Sequence, residues 1–113
     1  MLISQEIVRD QDWIVAHWRG DIDMTNAQSI ERELLDELRN SDIGLIVDLS
    51  SVSYVDSAGI RSLLNLRRLL GQRQQKLLLV LPAGSVLTKA LEVGGVASVL
   101  PPHASLEAAR RSA

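Results

Sequence analysis

The chain has no cysteine, which excludes disulfides, thiolate nucleophiles and thiolate metal ligands. Its two histidines, His17 and His103, are far apart and too few for a metal site. Aromatic residues stop at Trp13, Trp18 and Tyr54, leaving little surface on which bases could stack. There is no excess of positive charge. The net charge is −2 with a pI near 5.6, and Arg61, Arg67, Arg68 and Arg73 are offset elsewhere, so no nucleic-acid partner is expected. No apolar run approaches the ~20 residues that cross a bilayer, and the opening Met-Leu-Ile-Ser-Gln-Glu lacks the basic start and apolar core of a signal peptide. No direct membrane insertion is expected, and the expected location is cytoplasmic. Missing too are a glycine-rich phosphate loop, a G-x-S-x-G elbow and a paired acid and base with a convergent histidine, so neither a catalyst nor a cofactor is expected.

What is present suits one globular domain spanning residues 1–113. A chain of 113 residues can bury roughly 65% of its unfolded surface, and 46% hydrophobic with 23% charged residues is ordinary for such a domain. The pattern predicts an α/β domain, a mixed sheet with helices packed on it, in the order β-β-α-β-α-β-α-β-α. Leu2 to Val8 and Trp13 to Trp18 read as an antiparallel hairpin turned at Arg9-Asp10-Gln11-Asp12. Both faces of the Trp13–Trp18 strand are mixed in polarity, so the pattern does not say which is inside. His17, alone on that strand, reads as a side chain packed or hydrogen-bonded locally.

Thr25 and Gln28 have capping-box spacing, and Ala27, Ile30, Leu34 and Leu38 recur on one helix face that ends near Arg39-Asn40. Leu45-Ile46-Val47 is a buried strand ended by Asp48, and Ser50, Ser51 and Ser53 favour a loop. From Ile60 the apolar spacing becomes helical, with Ile60, Leu63, Leu64, Leu66 and Leu70 on one arc and Arg61, Ser62, Asn65 and Arg68 on the other. Gly71 is the expected stop. Lys76 to Leu81 is a second buried strand, which implies a right-handed parallel crossover through the helix before it. A short helix from Ser85 to Gly94-Gly95, an edge strand over Val96–Leu100 and a terminal helix over Ser105–Arg111 complete the order.

The chain is organised around Val47 to Leu64, and within it around Asp56-Ser57-Ala58-Gly59 at a helix entrance. Serine or aspartate there has a routine role, accepting a hydrogen bond from an orphan backbone N–H. The same helix end carries the positive end of the macrodipole and tolerates a phosphate, and Ala58 and Gly59 leave little bulk around the Ser57 hydroxyl. Ser57 is therefore a candidate phosphoacceptor. Asp21 and Asp23, in Gly20-Asp21-Ile22-Asp23, read on their own as turn and cap residues.

The run V-D-L-S-S-V-S-Y-V-D-S-A-G-I resembles the signature of the STAS domain, and of bacterial anti-sigma factor antagonists in particular; Gly20-Asp21-Ile22-Asp23 before a helix is similar to that family's second motif. The resemblance extends from Ile3 to about Ala108. It implies a STAS-type fold and a surface of Gly20, Asp21, Asp23, Asp56, Ser57, Ala58 and Gly59 that docks a protein partner. That partner would be an anti-sigma factor that is also a serine kinase. The unphosphorylated protein would bind it and free the sigma factor, phosphorylation of Ser57 would end binding, and a metal-dependent serine phosphatase would restore it. Ala58 stands where many antagonists carry serine or threonine. Asp-Ser-Ala-Gly also resembles the STAS subunit of bacterial lipid-transport ABC complexes, so a regulatory subunit of a transporter, or a stressosome-like scaffold without sigma-factor control, is the alternative.

Overall fold

The structure is a computed structural model that describes residues 4–113. Leu2 and Ile3, where the first strand was expected to begin, lie outside the described residues. Strands β1 (Gln5–Asp10) and β2 (Trp13–Ile22) form the expected hairpin. Arg9 and Asp10 pair with Ile14 and Trp13, so the turn narrows to Gln11-Asp12, with Gln11 in the left-handed region at φ 57°. Helix α1 (Ala27–Glu37) leads to β3 (Gly44–Val55), and α2 (Ser57–Gln72) leads to β4 (Lys76–Val80). Helices α3 (Thr88–Val93), α4 (Val96–Val99) and α5 (Leu106–Ser112) follow. The sheet order is β1-β2-β3-β4, with the first pair antiparallel and the others parallel. The α/β fold with a mixed sheet is thus the expected one.

Three local expectations are corrected. Strand β3 does not end at Asp48, because the second half of β2 lies beside it and pairs Arg19 with Ser51, Gly20 with Val52 and Ile22 with Val55. Backbone pairing outweighs the loop preference of the serines, while Val52 and Val55 point inward and Ser51, Ser53 and Tyr54 remain exposed. Val96–Leu100 forms the helical turn α4 rather than an edge strand. Val96 and Leu100 are both buried, a spacing of four that suits a helix as well as a strand, and the Leu100 N–H donates to the Val96 carbonyl at 2.7 Å. The outer edge of β4 is occupied instead by His103, which donates to Leu79 O at 2.9 Å and accepts from Leu81 N–H at 2.8 Å. Gly71 lies inside α2, and the helix closes two residues later. Gln74 takes the left-handed conformation, its N–H meets Gly71 O, and the Gln75 N–H meets Leu70 O.

Both faces of the sheet are covered, which is why the Trp13–Trp18 strand carries apolar residues on each. Ile14, Ala16, Trp18, Leu45, Val47 and Leu79 pack beneath Ile30 and Leu34 of α1 and Leu63, Leu66 and Leu70 of α2. The Trp18 indole N–H donates to Gln5 Oε1 at 2.8 Å, and Gln5 Nε2 donates to Ile30 O at 3.2 Å, so these two buried side chains have their polar groups paired. On the other face Trp13, Val15, Ile46 and Val80 form a smaller cluster under Ala109 and Leu106 of α5. The two crossovers through α1 and α2 leave both helix entrances at the ends of β2 and β3, side by side.

Candidate functional site

The entrance to α2 is built by Asp56. Its extended backbone (φ −95°, ψ −173°) turns the chain from strand to helix, and its Oδ1 accepts from the N–H groups of Ala58 at 2.8 Å and Gly59 at 3.1 Å. Its other oxygen accepts from the Met24 N–H at 3.2 Å, and its own N–H donates to Ile22 O at 3.1 Å. One residue therefore caps α2 and ties it to the loop before α1. Gly59 is needed for this approach. A Cβ there would stand 2.4 Å from Val55 Cγ2 and 3.0 Å from the Ile22 carbonyl oxygen.

With Asp56 as the cap, Ser57 becomes the first residue of the helix rather than its capping side chain. It is exposed, and its hydroxyl takes part in no hydrogen bond among the described residues. Ala58, beside it, is half-buried and small. The hydroxyl is thus held at a fixed place in the fold and left open to an incoming molecule. His17 and His103 are not brought to it. His17 Nδ1 lies 2.7 Å from Asp48 Oδ2, in the row of the sheet that faces α5. Burial opposes ionisation of Asp48, but hydrogen bonds from the Ser50 hydroxyl and N–H and from His17 outweigh it and hold that carboxyl below its ordinary range.

The entrance to α1 is held differently. Strand β2 has irregular register at His17/Arg19 and at Gly20/Asp21, and Gly20 sits at φ 70°, a conformation a side chain would strain. The Thr25–Gln28 capping box does not form, since the cap residue is Asn26 and its side chain makes no capping bond. Asp23 Oδ1 instead accepts from the Thr25 N–H at 2.9 Å and the Thr25 hydroxyl at 2.5 Å, which lowers the Asp23 pKa from its ordinary value. Asn26 spans the turn, accepting from Asp23 N–H at 3.0 Å and donating to Asp21 O at 2.8 Å. Asp21 and Gly20 are exposed, so Gly20, Asp21, Asp23 and the Asp56–Gly59 segment share one end of the molecule.

Between α1 and α2 lies an open groove of about 410 Å³, lined by Met24, Gln28 and Glu31 on one side and Ala58, Arg61 and Asn65 on the other. Met24 is 80% exposed at its mouth. Ser62, placed by periodicity on the outward arc, is buried on the α1 side, where its hydroxyl donates to Glu31 Oε2 at 3.2 Å. Asn65 donates to the other Glu31 oxygen. This groove was not foreseen, because helix periodicity gives each helix a face but not which polar face another helix will cover. The available signal was Glu31 and Ser62, polar residues on facing helices that can satisfy each other.

Fold and site define a small α/β domain that presents the exposed Ser57 hydroxyl at the α2 entrance, which Asp56 ties to the loop before α1. The sequence profile of the STAS domain matches residues 4–109. BtrV of Bordetella bronchiseptica, assigned to the anti-sigma factor antagonists, is 30% identical over 96 residues, which cover 85% of this chain and 82% of that protein. A crystal structure of an anti-sigma factor antagonist from Mycobacterium paratuberculosis superposes with a TM-score of 0.82 at 21% identity, covering 96% of this chain and 91% of that one. The Bacillus cell-fate determinant SpoIIAA in its phosphorylated form superposes with a TM-score of 0.71 at 17% identity, covering 96% and 99% of the two chains. The chain belongs to the STAS family, on the anti-sigma factor antagonist branch.

Proposed function

We propose that this protein switches partners through Ser57. Unphosphorylated, it binds an anti-sigma factor that is also a serine kinase and releases the sigma factor; phosphorylated, it lets go. The supporting observation is the exposed, unbonded Ser57 hydroxyl on a rigidly capped helix, with Gly20, Asp21, Asp23, Asp56 and Ala58 as the docking surface; Gly59, expected there too, is buried against Val55 and Ile22 and supports that surface from beneath. That a relative of this fold has been solved as a phosphoprotein lends support. No histidine stands beside the serine among the described residues, and the Asp56 carboxylate is committed to backbone N–H groups, so the chemistry is assigned to the partner. The Ser57 oxygen attacks the γ-phosphorus of ATP, the bond to the β-phosphate breaks, ADP leaves, and the hydroxyl proton passes to a base of the kinase. The phosphoserine brings about −1.5 to −2 charges to a surface already carrying Asp21, Asp23 and Asp56, enough to end docking against an acidic or closely packed partner face without unfolding the chain. A metal-dependent serine phosphatase resets the switch. The setting for all of this is the cytoplasm; no described helix is long and apolar enough to cross a membrane.

The test is incubation with the cognate kinase and ATP, followed by intact mass and site mapping. One phosphate at Ser57 is expected, and a phosphate elsewhere, or none with an active kinase, overturns the assignment. Ser57→Ala should bind the partner but not be switched off, whereas Ser57→Glu should bind weakly while melting like the wild type.

A further inference from the structure

We propose that Arg61 receives the phosphate on Ser57, an inference that rests on Ser57 being the phosphoacceptor. The helix end offers a phosphate fewer donors than the sequence suggested. The N–H groups of Ala58 and Gly59 are already committed to Asp56. A dianion on Ser57 would add to an end of the molecule that already carries Asp56 just before it and Asp21 and Asp23 on the neighbouring entrance. Ser57 and Arg61 are four residues apart in one helix, which places their Cβ atoms about 6 Å apart on the same face.

Arg61 is exposed and enters no ion pair or hydrogen bond among the described residues, whereas Arg68, two turns further along, donates to Asn65 at 2.6 Å. The first turn of α2 carries no acidic residue. Among the described residues Arg61 is committed to none of the carboxylates around it, so an anion on Ser57 would meet an unpaired cation one helical turn away. The planar guanidinium can then meet two phosphate oxygens at once. Since Arg61 also lines the α1–α2 groove, the phosphate would draw its side chain away from the groove and alter the docking surface at a second point.

Phosphoserine is installed at position 57 by the kinase and, in parallel, by translational incorporation, and its phosphorus resonance is followed against pH in the wild type, Arg61→Ala, Arg61→Lys and Arg67→Ala. In the wild type the midpoint should lie about half a unit or more below that of Arg61→Ala, because a paired cation favours the dianion. Arg61→Lys should fall between them, and Arg67→Ala should match the wild type. Equal midpoints in wild type and Arg61→Ala, or an equal shift in Arg67→Ala, overturn the pairing. If Arg61→Ala does not fold, Arg61→Gln takes its place. Failure of the kinase to modify Ser57 sinks the phosphoacceptor reading, while the translationally modified protein still decides the role of Arg61.

Discussion

The two helix entrances sit side by side and do the same topological job, yet they are built from opposite materials. The α2 entrance is rigid: one aspartate caps two N–H groups and a third across the gap, and a glycine is wedged against Val55 and Ile22. The α1 entrance is a polar turn in which Asp23, Thr25 and Asn26 hold one another at the surface, with no side-chain cap on the helix. The difference teaches where a modifiable residue can be placed. A hydroxyl recruited into the α1 turn would be occupied; one placed after a self-sufficient cap is free.

The sharpest way to break the contrast is Gly59→Val. The added side chain meets atoms on two strands, and a loss of about 2–3 kcal/mol or more is expected from the urea midpoint. Gly71→Ala, inside the same helix with open space around its Cβ, should instead stabilise by about 0.5–1 kcal/mol. Asp56→Ala removes the cap and the tie to Met24, so about 1–2 kcal/mol should be lost in the same measurement. Asn26→Ala, in the softer entrance, should cost about 0.5–1 kcal/mol.

Acid should act on the α1 entrance. The hydrogen bonds from Thr25 depress the pKa of Asp23, so its contribution is complete above about pH 4, the unfolded value, and is lost as pH falls through the lower folded value. The Thr25 amide resonance should titrate in that window, and Asp23→Asn should abolish the titration. Smallest of all, Ser57→Ala should change stability by no more than about 0.5 kcal/mol, because the hydroxyl supports nothing in the fold. A clear destabilisation would mean that the two entrances are less different than their hydrogen bonds indicate.

Apolar periodicity made most of the fold legible. Ile30 and Leu34 in α1, Leu63, Leu66 and Leu70 in α2, and the continuous runs in β3 and β4 read correctly because each buries a face whose period is fixed by its own backbone. Readings failed where a neighbour overrode local preference: the serines of β3 joined a ladder because β2 ran alongside, and Val96–Leu100 coiled because its apolar spacing fits two structures. At the site, the location of Ser57 was legible and its freedom was not, since sequence alone did not say whether Asp56 or Ser57 would cap. The groove was hidden for the same reason, being a product of two helices meeting rather than of either alone.

The two tryptophans stand on opposite sides of one strand, Trp13 under the terminal helix and Trp18 in the larger core beside Gln5. The chain thereby contains two optical probes, one for each layer. Replacing either tryptophan with a smaller apolar residue would leave a single emitter, and stopped-flow traces of the pair would reveal whether the C-terminal helix peels away before the rest melts or departs with it.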